Sequence, residues 1–247
     1  MDRLLLCCRL GVSQSATATA ADLSSSEFGK PVRIVGMLGI VILSLLLYLH
    51  LVPGFHNQLV IDHAVVKPHS ARYSLWLDFD KTAAGLLILG LTYLPLRRTP
   101  HSLSLDAQRS ILPFVITVSV LMALGVASDY IHWAPAWSPW FWVWAGSNLC
   151  FTCMAEEALF RGFLQHQLAM ALPTRRSPVV ALVTSAVLFG LFHFTGGWAY
   201  VGLATFAGIG YGYVFQRTQR LELSILAHFG LNATHFLLFT YPSFGHS

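Results

Sequence analysis

Residues 153–162 read CMAEEALFRG. They lie inside an apolar run, 140–165, of membrane-spanning length. Two adjacent acids, Glu156 and Glu157, sit in that run, and Arg161 follows four residues after the second. A charged side chain at the centre of a bilayer costs about 2.5–3.5 kcal/mol on insertion scales. Two together therefore demand partners, protonation or water. Residues four apart share a helix face, so Arg161 pairs with Glu157. Glu156 is rotated about 100° away and stays free of that pair. One acid is thus structural and the other is available for chemistry.

The composition agrees with a membrane setting. Of 247 residues, 55% are hydrophobic and 11% charged, against about 25% charged in soluble domains. Seven apolar segments approach spanning length, at 34–52, 82–96, 111–126, 140–165, 179–194, 198–215 and 223–240. The expected fold class is all-α: a polytopic membrane helix bundle of about seven transmembrane helices, N-terminus inside. With that orientation, twelve of the fifteen Lys and Arg residues fall on inside segments or adjoining helix ends. Lys67, Arg72 and Lys81 fall outside. The net charge of +4 is accounted for by these short clusters, so no nucleic-acid partner is expected.

Residues 1–32 read as a disordered polar tail, because the apolar run 4–8 is too short for the centre of a signal peptide, about 7–15 residues. Residues 33–138 are assigned to N-terminal transmembrane helices with an outside loop at 53–81, residues 139–241 to a catalytic helix core, and residues 242–247 to a C-terminal tail. Cys150 and Cys153, one helical turn apart, read as small core residues. In the sixth segment Ala204, Gly208 and Gly212 recur every four residues, a pattern that lets membrane helices pack closely.

Two further places break the apolar pattern. His193 follows Phe189 by four residues, and Asn232 follows His228 by four. Acids, a histidine and a His–x₃–Asn pair on three separate helices make one converging polar centre, and such centres mark function in membranes. The ordered trio Glu156-Glu157-x₃-Arg161, Phe189-x₃-His193 and His228-x₃-Asn232 resembles the three motifs of the CPBP intramembrane proteases. This is the CAAX prenyl endopeptidase type 2, bacteriocin-processing or Abi family. The resemblance covers roughly residues 139–241 and implies an integral multi-pass membrane endopeptidase, in the plasma (inner) membrane if the source is bacterial. Its partners would be the bilayer and a peptide or protein substrate, CAAX-type or another precursor. The implied catalytic residues are Glu156, His193, His228 and Asn232, supported by Glu157, Arg161 and Phe189.

Peptide hydrolysis needs an activated water, oxyanion stabilisation and a proton for the leaving amine. Glu156, in apolar surroundings, is the expected general base. His193 holds the water or donates to the oxyanion, and Asn232 and His228 donate to it. Alternatively Glu156, His193 and His228 bind zinc, with a fourth position left for water. The metal-free reading is preferred. A transporter or proton relay, and a non-catalytic immunity or binding protein, are the alternatives from other classes. Counting 1.5 Å per residue puts Glu156 and His228 about 12–14 Å from the inner face and His193 about 25 Å from it. These residues meet only if the fifth helix is tilted or broken near Thr195-Gly196-Gly197. Cleavage is expected near the cytoplasmic leaflet.

Overall fold

The computed structural model describes residues 29–92, 100–172 and 175–243. Two compact units divide the chain, Met1–Ile42 and Leu43–Ser247. Of the first, residues 29–42 are described, and they are helical. Helix α1 is Gly29–Tyr48, followed by strands β1 (Gln58–Ala64) and β2 (Tyr73–Leu77) and by helices α2 (Phe79–Thr92) and α3 (Pro100–Ala127). A continuous helical run over 141–171, here α4, comes next. Helix α5 (Ser177–Phe192), a 3₁₀ turn (Phe194–Gly196), α6 (Gly197–Thr218) and α7 (Leu221–Leu238) complete the order.

The helices place small residues inward and large apolar ones outward. On α5, Ala181, Ser185, Ala186 and Phe189 are buried, while Val179, Val180, Val183, Val187 and Leu191 are exposed. On α3, Ile111, Leu112, Val115, Ile116 and Val120 are exposed. In water such faces would be unstable; against lipid tails they are at rest, and close packing of small residues holds the bundle. Among the described residues, Leu103–Ala127 is the one helix that alone is long and apolar enough to cross a membrane, with a mean hydropathy of 2.3. Helix α5 and the segment Phe194–Thr218 pass the same test as a pair whose axes are inclined by 56°. The expected second segment is described only as far as Thr92, and residues 93–99 lie outside the described residues.

Three expectations need correction. The first turn of α1 begins at Gly29, so residues 29–32 are helical rather than tail. Residues 1–28 and 244–247 lie outside the described residues. The outside loop holds an antiparallel hairpin, so the fold is mostly helical rather than purely so. Finally, Cys153 is buried but Cys150 is exposed.

The hairpin forms because Ile61 and Leu75 have an apolar surface to cover. Both are buried, and together with Val66 they pack on Trp144, Ala145 and Phe236. A lysine fixes the hairpin to the end of α7. Lys67 Nζ donates to the carbonyls of Phe236 (2.8 Å), Leu237 (3.1 Å) and Phe239 (2.7 Å). The last carbonyls of a helix have no intrahelical partner, and an ammonium suits the negative end of the helix dipole. Tyr241 N donates to Ser70 Oγ at 2.9 Å, and the 128–140 connection joins the same end through Ala134 N to Leu238 O at 2.9 Å. Lys67→Met should therefore lower stability by about 1–3 kcal/mol, the cost of leaving buried acceptors unmade. Thermal unfolding in detergent, beside wild type, checks this. An unchanged midpoint would show that solvent replaces the lysine.

Helices α5 and α6 run antiparallel in close contact. A Cβ on Gly208 would approach Ala186 Cα to 3.1 Å, and one on Gly190 would meet Val201 O at 2.7 Å. The face expected from Ala204, Gly208 and Gly212 is thus the packed one. Between the helices His193 ends α5, and Gly197, with φ +85°, turns the chain into α6.

Candidate active site

Helix α4 carries the acid pair on a non-standard stretch. Its regular turns Phe141–Ser147 and Met154–Glu157 are separated by a π-helical segment, Asn148–Cys153, and a second, Ala158–Gln165, follows. π-Helical turns widen the spacing to five residues and occur often at functional sites. One result is that Cys153 Sγ donates to Asn148 Oδ1, five residues back, at 3.3 Å.

Glu157 and Arg161 are both fully buried, and Arg161 Nη1 donates to Glu157 Oε1 at 2.8 Å. The guanidinium also donates through Nη2 to Gly208 O at 2.9 Å and lies over the Phe189 ring at 4.6 Å. One turn on, Gln165 Nε2 donates to Gly212 O at 3.0 Å. The small residues of α6 therefore admit two side chains of α4 to its backbone carbonyls. Glu157 accepts two further bonds from α7, from Ser224 Oγ at 2.6 Å and His228 Nδ1 at 2.9 Å. A buried carboxylate with this many donors is a structural hub.

Glu156 points elsewhere. Its side chain is 17% exposed, and its Oε2 is buried with no hydrogen-bond partner among the described residues. That oxygen lies 4.0 Å from His228 Nε2. Because Glu157 holds the proton on His228 Nδ1, the neutral ring turns a lone pair at Nε2 toward Glu156. The Nε2 atom can accept a proton from water; it can donate to an oxyanion only as imidazolium. Tyr211 stacks on the His228 ring with centroids 4.5 Å apart and fixes its plane.

His193 stands at the break that the depth count required. Its Nδ1 donates to Phe189 O at 2.7 Å, since a carbonyl only accepts, so here too Nε2 is the free nitrogen. Phe189 lies between the two imidazoles, its ring 4.7 Å from His193 and 5.8 Å from His228. His193, His228, Asn232 and His235 line one cavity, with Tyr130 and Tyr200 toward the hairpin end of the bundle. Burial pushes the Tyr130 phenol up, so it remains a neutral group there. Asn232 is committed elsewhere, donating from Nδ2 to Asn148 Oδ1 at 3.2 Å. The structure thus brings Glu156, His228 and the Glu157–Arg161 pair into one cluster and His193, His228 and Asn232 onto one cavity.

Sequence reasoning missed Ser224, Tyr211 and Asn148. Ser224 was within reach, because it precedes His228 by four residues on the same face. Asn148 was hidden by the π spacing.

Residues 137–234 match the family model described as type II CAAX prenyl endopeptidase Rce1-like. This segment is an Rce1-like domain of the CPBP family. It covers about two-fifths of the chain and contains Glu156, Glu157, Arg161, Phe189, His193, His228 and Asn232. The Rce1-like family is a membrane-embedded protease family. No curated protein and no solved structure matches the chain.

A metal would need three donors in the Rce1-like domain. Glu156 Oε2 and His228 Nε2 face each other, but among the described residues no three His, Cys, Asp or Glu side chains converge to hold an ion. The arrangement as it stands does not complete the ligand set Glu156, His193 and His228.

Proposed function

We propose that the chain is an integral, multi-pass intramembrane endopeptidase that hydrolyses a peptide bond of a membrane-associated, CAAX-type or other C-terminal-signal substrate. Glu156 would activate the water. The observation that carries this reading is the unpartnered Glu156 Oε2, 4.0 Å from His228 Nε2, beside a Glu157 already saturated with donors. In the attack step, water oxygen bonds to the scissile carbonyl carbon, Glu156 takes the released proton, and the carbonyl π electrons move to the oxygen. The C–N bond then breaks as the Glu156 proton passes to the leaving nitrogen. His228 Nε2 helps orient the water by accepting from it. Glu157, Arg161 and Ser224 hold that imidazole, and His193 and Asn232 stand along the cavity that would admit the chain to be cut.

The topology with N-terminus inside is supported by the packing of the hairpin, the 128–140 connection and residues 239–243 at one end, since charge counting assigns all three to the outside. With that orientation the cavity turns toward the outer half of the bilayer, away from the leaflet that the depth count favoured. In a bacterial setting the membrane is the inner one.

One observation favours a metal. Both imidazoles have Nδ1 anchored, by a carboxylate and by a carbonyl, which is how metal-ligating histidines are held. Zinc content measured beside cleavage of a reconstituted CAAX peptide separates the readings. The metal-free reading expects turnover that survives chelation, with zinc well below one per chain. Stoichiometric zinc in active wild type, lost together with activity in His228→Gln, would overturn it.

A further inference from the structure

Along one face of α7 three polar side chains follow one another toward the hairpin end, His228, Asn232 and His235. Steps of four and three residues keep them on one stripe. All three line the cavity that also holds His193. His228 and Asn232 already have parts in the site, whereas His235 has none.

The His235 ring uses one of its two nitrogens. Nε2 lies 3.0 Å from Thr240 O, and a carbonyl only accepts, so Nε2 carries the proton and Nδ1 is a lone pair. Nδ1 has no hydrogen-bond partner among the described residues, and it is not sealed in the packing as the unpartnered Tyr211 hydroxyl is; it opens on the cavity. The tie to Thr240 does not by itself call for this ring. Thr240 is already held by His132, its N donating to His132 O at 2.9 Å and its Oγ1 accepting from His132 N at 3.0 Å. The Tyr241 ring, with centroids 5.1 Å away, steadies the imidazole.

Much of the remaining cavity wall is apolar, made by Leu121, Met122, Ile131 and Leu203. A peptide that enters such a place leaves water behind, and each backbone N–H it brings has to find an acceptor. An anchored lone pair on the wall meets that need. Resting on the peptidase reading, we propose that His235 is a substrate-binding residue whose Nδ1 accepts a backbone N–H of the chain to be cut. The seven residues of α7 from His228 to His235 rise about 10 Å, which an extended chain covers in about three residues at roughly 3.3 Å each. The N–H taken by His235 thus belongs to a residue about three from the scissile bond, on the side that lies toward the hairpin.

The test uses the full chain in lipid vesicles with a quenched-fluorescent farnesylated peptide ending in a CAAX sequence, and with a set of the same peptide in which one backbone N–H at a time is replaced by an ester oxygen. His235→Gln keeps an N–H within reach of Thr240 O and removes the Nδ1 acceptor. His235→Asn keeps an acceptor near the Nδ1 position and gives up the bond to Thr240. The expected result is a KM about 3–10-fold higher in His235→Gln, the loss for one neutral hydrogen bond, with kcat and melting midpoint close to wild type, and a KM nearer to wild type in His235→Asn. One ester, about three residues from the cut, raises KM in wild type by the same factor and adds nothing in His235→Gln. Wild-type KM in His235→Gln, or ester penalties equal in both enzymes, would overturn this inference alone. A KM that tracks the melting midpoint across both variants would overturn it as well, leaving His235 a tie for Thr240. An intact peptide with folded wild type would remove the peptidase reading, and the role of His235 with it.

Discussion

Glu156→Gln lowers the cleavage rate by about 10²–10⁴-fold, the contribution of a positioned general base, while membrane abundance and melting midpoint stay at wild-type values. The reason for the split lies in the geometry. Glu156 Oε2 has no hydrogen-bond partner among the described residues, so an amide of the same shape breaks no contact there. What disappears is the ability to take a proton from water beside His228 Nε2. Initial rates on a CAAX peptide, normalised to reconstituted protein and read beside a thermal melt, check both halves. A variant that loses rate and midpoint together would make Glu156 structural.

Glu157→Gln gives the opposite pattern, with a loss of stability of about 3–5 kcal/mol, the cost of stranding one member of a buried ion pair. Three donors converge on this carboxylate, from Arg161, Ser224 and His228. An amide in its place turns an N–H toward at least one of them and leaves a fully buried guanidinium without its counter-charge. Activity falls as a consequence, because His228 loses the acceptor that fixes its tautomer. The double variant Glu157→Gln/Arg161→Met should recover part of the stability, since the stranded charge is gone, and none of the activity. Unfolding midpoints of the two variants measure this. If Glu157→Gln melts like wild type, the pair is not what holds α4 to α7.

The two glutamates were legible in the sequence because helical spacing separates them cleanly: position 161 lies four from 157 and five from 156. The same arithmetic would have reached Ser224, four before His228. It fails for Asn148, which meets Cys153 across five residues of π helix. The hairpin was illegible because register shifts between Leu59 and Ile61, and again between Ile61 and Ala64, break the two-residue alternation. Lys67 looked like one more loop charge, and only the fold shows it closing α7. The helices themselves followed from the apolar runs. Among the described residues one helix, Leu103–Ala127, passes alone as a span and α5 passes with the segment Phe194–Thr218 as a bent pair, because composition marks where apolar residues cluster, whereas spanning depends on helix length and on bends.

The account stands most directly on where the oxygen of the new carboxylate comes from and on which residue delivers it. Wild type and Glu156→Gln, reconstituted in vesicles, are given a farnesylated CAAX peptide in H₂¹⁸O, and the products are weighed by mass spectrometry. The account predicts a single internal cut by wild type, one ¹⁸O in the new C-terminal carboxylate, and no product above background from Glu156→Gln. An intact peptide with folded wild type, or the same labelled product at the same rate from Glu156→Gln, would contradict it.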